Sequence, residues 1–496
     1  MIGAGPSGLA AAKHALEAGF DTTVFEASHD LGGQWHTTAA HSGVWPGMHT
    51  NTSRAMTAFS DYPAPASHPL HPAAEQIHAY LRSYAAHFGV TERIRFGARV
   101  ERVSMGWSVD GEHFNAVVVA SGRFRRPHRP AGLERFGGEL LHTFDYPGRE
   151  SFRGRRVLVY GNGISALEVA SDLATVTDVV SAFRKPRYVI RKVVDGVSSD
   201  WQWYTAFGVL ERRLLERGEV GRRIRERVLK LAGDPASFGA PAPDPDFFVA
   251  GISLCQDYLE QVQEGSIVCR PAITEVGERT VRFVDGASES VDVVVLATGY
   301  DLDVPFLSPE VWAVTGPSFG LYLRTLHPDL PGFGAVGIYP IQGPMLPVIE
   351  LQARWLVALW AGEVEAPDAA MMRRALATPP APLEVHNMFA IALAEELGVV
   401  PELLARPDLT EPLLFGPLLP PRYRFDGPGA RPDAVDQFRA QLAASPRAAV
   451  DAADVEALRG FGLGAATDLV RAYTPTASRR CGPAVSAVVR TRRRPA

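Results

Sequence analysis

Two glycine-rich turns, 158 positions apart, each open a helix-like stretch, and nothing else in the chain restricts its fold as strongly. The first reads Gly3-Ala4-Gly5-Pro6-Ser7-Gly8. An alanine-rich run over 9–18 follows, then a stop at Gly19 and a strand-like stretch ending in Glu26, 18 residues past Gly8. G-x-G-x-x-G in that setting predicts a dinucleotide-binding βαβ unit. Gly3 allows the tight turn, Gly5 lets the backbone approach a pyrophosphate, and Gly8 lets helix and strand pack closely. Pro6 and Ser7 begin the helix, whose free N–H groups and dipole favour a phosphate. Glu26 is placed to accept hydrogen bonds from ribose hydroxyls. The second turn, Gly161-Asn162-Gly163-Ile164-Ser165-Ala166, follows the apolar stretch 157–160 and opens a helix to about 174. Its next strand ends in Arg184, 21 residues past Gly163, where the first unit has an acid. A cation there suits a ribose 2′-phosphate and predicts NADP(H) over NAD(H).

One part of the first unit is short. A buried parallel strand of about five or six residues should precede Gly3, and only Met1 and Ile2 do. We expect a start assigned too late or a truncated chain, with neighbouring strands left unpaired at the sheet centre.

Composition removes several function classes. Of 496 residues, 46% are hydrophobic and 21% charged, an ordinary globular balance. A net charge of −5 disfavours nucleic acid as a partner. Three scattered cysteines, Cys255, Cys269 and Cys481, provide neither a disulfide framework nor a Cys-x-x-Cys redox pair, and fit a reducing cytoplasm. No apolar run reaches the length of about 18–20 residues that an integral membrane segment needs. His36, His41 and His49 share a loop without metal-ligand spacing, so no metal is expected.

Further motifs resemble a known family. Gly33-Gln34-Trp35 follows the acid-bearing strand, as in flavoproteins with two dinucleotide folds. Residues 116–120, ending in Ser121-Gly122, and 292–296, ending in Ala297-Thr298-Gly299-Tyr300, resemble the turns where such chains cross between the two folds. Between the glycine turns lie Phe136, Gly138, His142 and Tyr146, spaced as F-x-G-x-x-x-H-x-x-x-Y. This resembles the identifying motif of flavin-containing monooxygenases, and the resemblance spans about residues 1–375. Trp45-Pro46-Gly47-Met48-His49-Thr50-Asn51-Thr52 resembles a segment facing the flavin. Related Baeyer–Villiger enzymes carry Trp in place of Tyr146 and an acid in place of Asn51.

The resemblance implies an α/β chain with two Rossmann-like domains, the NADP domain inserted in the FAD domain, and a mostly helical or irregular C-terminal extension. The expected spans are 1–151 and 286–375 for FAD, 152–285 for NADP, 376–473 for the extension, and a disordered basic tail over 474–496. FAD contacts fall to Gly3, Gly5, Pro6, Ser7, Gly8, Glu26, Gly33, Gln34, Trp35, Asn51, Thr298 and Gly299. NADP(H) contacts fall to Gly161, Gly163, Ser165, Ala166 and Arg184.

The implied reaction is NADPH- and O2-dependent oxygenation of a small-molecule soft nucleophile, an amine or sulfide, through a flavin C4a-hydroperoxide. Asn51 is the catalytic residue, and a homodimer is compatible with this reading. Asn51 has an alternative role as a cap on a helix-like run over 53–59. His142 and Tyr146 have one as linker residues fixing the angle between domains. Alternative functions are a Baeyer–Villiger-type ketone monooxygenase, an NADPH oxidase producing hydrogen peroxide, and a non-catalytic truncated flavoprotein.

Overall fold

The computed structural model describes residues 1–38, 42–316, 318–379 and 381–473. The expected disordered tail, 474–496, lies outside the described residues. Two parallel sheets share one strand order. In the first, Ile94–Arg95 pairs with Val24–Phe25, which bridges to Ile2; Ile2 bridges to Val119 of strand Val117–Val119, and that strand pairs with Phe333–Ala335. In the second the order is Ile267–Arg270, Val179–Ala182, Val157–Tyr160, Val293–Leu296 and Glu139–His142. In both, the central position precedes the glycine turn. The neighbour on one side leads to Glu26 or Arg184, and the neighbour on the other leads to Ala120 or Ala297. The central strands and their immediate neighbours are mostly apolar and buried, as parallel strands covered on both faces must be.

The short first strand is met by pairing. The Ile2 N–H donates to Val118 O (2.9 Å) and Ile2 O accepts from Ala120 N (2.9 Å). On the other side the Gly3 N–H donates to Phe25 O (2.8 Å) and Phe25 N donates to Met1 O (2.9 Å). The neighbouring strands are therefore not left open beside Met1–Gly3.

The second sheet reaches beyond the expected 152–285 span. Val293–Leu296 bonds to Val157–Tyr160 on one edge and to Glu139–His142 on the other. Strands from before residue 152 and after residue 285 thus complete this sheet, because their apolar faces bury against its core.

Helices cover the sheets. Pro6–Glu17 packs against Leu346–Ala361, and both are buried along most of their length. The C-terminal extension is helical, including His386–Leu397, Thr410–Phe415, Ala434–Ala443 and Gly464–Tyr473. Its residues Phe389, Leu393, Phe425 and Phe438 share a core with Leu351 and Trp355 of the Leu346–Ala361 helix. A buried charge network secures the same junction. Arg424 donates to Glu350 (2.8 Å) and Asp61 (3.0 Å), Lys13 donates to Asp61, and Ser60 donates to Glu350. No described helix is long and apolar enough to cross a membrane.

Candidate functional site

Two adjoining cavities lie above the carboxyl ends of the strands. The first, of about 280 Å³, is walled by Gly3, Gly5, Pro6 and Ser7, by Glu26, and by Gly33, Gln34 and Trp35. Its geometry follows from the glycines. Gly3 has φ +101°, and a Cβ there would stand 2.7 Å from Ala120 O. A Cβ on Gly8 would stand 1.8 Å from Gly3 O, so helix and turn can touch only through hydrogen at that position. Gly5 differs: its Cβ would meet the Gly33 backbone, Cα at 3.5 Å and N at 3.8 Å, which are ordinary contacts. Gly5 also lines the cavity, so its backbone is open to a ligand there. No side chain caps the helix at Gly5, which leaves its first N–H groups to an anion.

Glu26 is 5% exposed. Its Oε2 accepts from Ala4 N (2.7 Å) and its Oε1 from Ser28 N (2.8 Å). Each carboxylate oxygen keeps a further lone pair for hydroxyl donors. Arg123 lines the same cavity; it donates to Tyr300 O (3.3 Å), its Nε has no partner among the described residues, and burial lowers its pKa. An uncapped helix end, an open Gly5 face, an acid and a cation together fit a dinucleotide.

The second cavity, of about 300 Å³, shares Gln34, Trp35, Phe124, Met345 and Leu346 with the first, so the two are continuous. Asn51 lies on its wall beside Trp45, Tyr204 and Tyr300. Ser165 and Glu168 reach it from the Ile164–Ala174 helix. Three buried polar atoms on this wall have no hydrogen-bond partner among the described residues: Asn51 Oδ1, Asp200 Oδ1 and Ser253 Oγ. Buried polar atoms are normally paired, so three orphans around one cavity mark a ligand site. Burial pushes the Asp200 carboxyl up from its ordinary value, against the two hydrogen bonds from Ser53. Glu168 is matched by Lys192 at 2.8 Å.

The family model described as Flavin-binding monooxygenase-like matches residues 1–449. The chain belongs to this family. It is 30% identical to dimethylaniline monooxygenase [N-oxide-forming] 2 of Rattus norvegicus over 86% of this chain and 88% of the relative. Among solved structures, it resembles S-allyl-L-cysteine S-oxygenase of Allium sativum with a TM-score of 0.59 and 24% identity, covering 89% of this chain and 97% of that one. An oxidized steroid monooxygenase bound to NADP also gives 0.59, at 21% identity, over 79% and 96%. These two likenesses establish the fold.

Within this flavin-binding monooxygenase-like chain, the sequence-predicted residues fall into three groups. Gly3, Gly5, Pro6, Ser7, Glu26, Gly33, Gln34, Trp35, Asn51 and Ser165 line the cavities. Asn51 caps no helix, because residues 53–59 form turns. Gly8, Gly161, Gly163 and Ala166 belong to the two turns but line neither cavity. Gly161 repeats the role of Gly3: its φ is +146° and its Cβ would stand 2.4 Å from Ala297 O. Arg184 is exposed beyond the Val179–Ala182 strand, with no ion pair among the described residues.

The third group packs and lines neither cavity. Thr298 Oγ1 donates to His128 O (2.5 Å), and Gly299 O accepts from His128 N (2.9 Å). Phe136 lies in a core, and a Cβ on Gly138 would meet Asp292 O at 2.6 Å. His142 is fully buried and its Nδ1 accepts from Phe144 N (3.1 Å); burial lowers its pKa to about 4, so the ring is neutral. The Tyr146 hydroxyl donates to Asp172 (2.7 Å), and its ring stacks on Phe152 and meets Trp45 edge-on. The motif ties the linker to the Ile164–Ala174 helix and, through Trp45, to the second cavity.

Sequence reasoning missed Arg123, Asp200, Tyr204 and the Gly337–Gln352 pair. A Cβ on Gly337 would stand 2.1 Å from Ser7 Oγ, and its N–H donates to Gln352 Oε1 (3.1 Å). No local signal marks these residues, since each acts across the fold. His14, Asp61 and Glu350 could also reach one metal ion. Lys13 and Arg424 already neutralise both carboxylates, which opposes a divalent cation there.

Proposed function

We propose that this chain is an NADPH- and O2-dependent monooxygenase that oxygenates a soft nucleophile, an amine nitrogen or a sulfide sulfur. The observation that carries this reading is the buried, unpartnered Oδ1 of Asn51, in a cavity that shares Gln34 and Trp35 with a dinucleotide cradle. FAD belongs in the first cavity, where it supplies the redox chemistry that no side-chain constellation here provides. The open face of Gly5 and the uncapped end of Pro6–Glu17 receive its pyrophosphate, Glu26 its ribose hydroxyls, and Arg123 balances phosphate charge. NADP(H) belongs at the second turn. The Ile164–Ala174 helix is likewise uncapped at Gly163, and a Cβ there would meet open space. Arg184 faces the 2′-phosphate.

The small-molecule substrate and O2 share the second cavity. Asn51 Oδ1 accepts a hydrogen bond there and fixes its donor at the reacting edge. Trp35, Trp45, Tyr204 and Tyr300 exclude water around that edge. A relative named for N-oxide formation supports a soft nucleophile over a ketone carbon. A cytoplasmic location and a homodimer belong to the same proposal, read by cell fractionation and light scattering.

The test is turnover of FAD-loaded protein with NADPH and, separately, N,N-dimethylaniline, a dialkyl sulfide and a cyclic ketone. N-oxide or sulfoxide formed in proportion to NADPH consumed is the expected result. A lactone from the ketone alone, or hydrogen peroxide as the sole product with every compound, would overturn it.

A further inference from the structure

Asn51 holds its position without any hydrogen bond to its own Oδ1 among the described residues. Its neighbours supply the constraint, and two of the straps come from one short segment far along the chain. On the near side, the Thr50 carbonyl accepts from His71 Nδ1 (3.1 Å), and His71 Nε2 meets Ser198 Oγ (3.3 Å). A carbonyl can only accept, so Nδ1 carries the proton. Burial, with Lys192 adding to it, lowers the His71 pKa to about 4. The ring is therefore neutral, and Nε2 accepts from the Ser198 hydroxyl.

On the far side, a single oxygen of Asp200 takes two bonds from Ser53. The Ser53 N–H donates at 2.7 Å and its hydroxyl at 2.9 Å, both to Oδ2. Trp201 Nε1 in turn donates to Ser53 Oγ (3.0 Å). Asp200 is 1% exposed, has no ion-pair partner among the described residues and lies 147 positions from Ser53. Asp200 also lines the cavity that Asn51 lines. Residues 198–200 thus grip both flanks of the Asn51 turn, Asp200 directly and Ser198 through His71.

We propose that Asp200 is the positioning residue that aims Asn51 into the second cavity. The inference rests on the proposed role of Asn51 and adds the group that holds it in place. An acceptor at this position fixes the Ser53 backbone, which fixes the Asn51 side chain two residues before. Without it, the turn is free to rotate Asn51 off the reacting edge. The cofactors then bind as before, but reducing equivalents leave as hydrogen peroxide in place of product.

The test compares Asp200→Leu, which removes the acceptor at similar volume, with Asp200→Asn, which keeps an oxygen for both Ser53 donors. The readouts are peroxide formed per NADPH with N,N-dimethylaniline present, FAD retained per chain, and melting temperature. Loss of a buried hydrogen-bonded acceptor predicts about a tenfold rise in peroxide fraction for Asp200→Leu. FAD content should be retained, and Asp200→Asn, which keeps an acceptor for Ser53, should raise peroxide by a clearly smaller factor than Asp200→Leu.

The double variant Asn51→Ala/Asp200→Leu should be no more uncoupled than Asn51→Ala alone, because both act on one group. If Asp200→Leu does not fold, Ser53→Ala, which removes one of the two bonds, should raise peroxide by a smaller factor. Equal peroxide in parent, Asp200→Leu and Ser53→Ala, with Asn51→Ala uncoupled, would overturn the role of Asp200. An unchanged Asn51→Ala would overturn the role of Asn51 itself. Loss of FAD in parallel with uncoupling in every variant would reduce Asp200 to a folding residue and contradict the proposal.

Discussion

The two glycine turns are built alike at their first glycine and at their uncapped second glycine, and differ at the third position and at the end of the next strand. Gly3 and Gly161 both have positive φ, and both press on the carbonyl of an alanine, Ala120 or Ala297, that ends the neighbouring strand. This contact sets the turn in each sheet. After it the units diverge. The first turn closes on itself, with Gly8 against Gly3 O and Gly33 against Gly5 Cα. It is followed by an acid whose carboxylate is buried and bonded to the turn's own Ala4 N–H. The second stays open: Ala166 replaces the third glycine, the space beside Gly163 is empty, and Arg184 stands exposed. A closed cradle with a buried acid suits a cofactor that stays, while an open one with an exposed cation suits a cofactor that exchanges. The helix of the first turn is also anchored from behind by the Lys13–Asp61–Arg424–Glu350 network, which joins it to the C-terminal extension.

The largest predicted difference lies at the third glycine position. Gly8→Ala places a Cβ against backbone that cannot move aside, and should cost about 3 kcal/mol or more. It should abolish soluble, cooperatively melting protein, whereas Ala166→Gly at the matching site should lower the melting temperature only slightly. Next is the anchoring network. Arg424→Met removes the guanidinium that pairs the buried Glu350 and should cost about 3–5 kcal/mol, measured by denaturant unfolding. Substitution of the exposed Arg184 should leave stability unchanged.

Gly5→Ala should follow, with the opposite signature. The protein itself accommodates the Cβ, so the apoprotein should melt as the parent does while FAD is lost on gel filtration. A yellow, FAD-retaining Gly5→Ala variant would break the contrast between the two turns. Arg184→Ala should raise the KM for NADPH by about tenfold, the loss of one charge-assisted phosphate contact, and leave that for NADH unchanged. Equal effects on both cofactors would remove the 2′-phosphate from the account.

The smallest effect concerns pH. Burial raises the pKa of Glu17, but hydrogen bonds from His14 and Lys13 outweigh it and hold the carboxyl at about 2, below its ordinary 4.5. A depressed carboxyl contributes stability above pH 4.5 that is lost as pH falls from 4.5 toward 2. Glu17→Gln should therefore flatten the acid limb of the melting-temperature curve in that window and leave the neutral region nearly unchanged.

What could be read from sequence follows the same division between local and distant. The glycine turns, the buried Glu26 and the cavity position of Asn51 were legible because their signals lie within one strand–turn–helix or one short segment. The strand order of the second sheet was not. Glu139–His142 and Val293–Leu296 are short apolar stretches, and nothing local states which sheet they complete. Thr298 and Gly299 were read as ligand contacts from their place in a turn, yet their bonds go to His128. Asp200, Gly337 and Gln352 depend on partners 147, 330 and 15 positions away, reached only when the fold closes. The Phe136–Gly138–His142–Tyr146 motif was legible as a pattern, but its work as a packed joint could be seen only from burial and partners.

The most direct test is the visible spectrum of the purified protein supplied with FAD, recorded before and after anaerobic addition of NADPH and, in parallel, NADH. A flavin spectrum at about one per chain, as one closed cradle requires, that NADPH bleaches faster than NADH, is the result expected. A protein that retains no flavin, or a flavin that neither nucleotide bleaches, would contradict the assignment of the two turns to FAD and NADP(H).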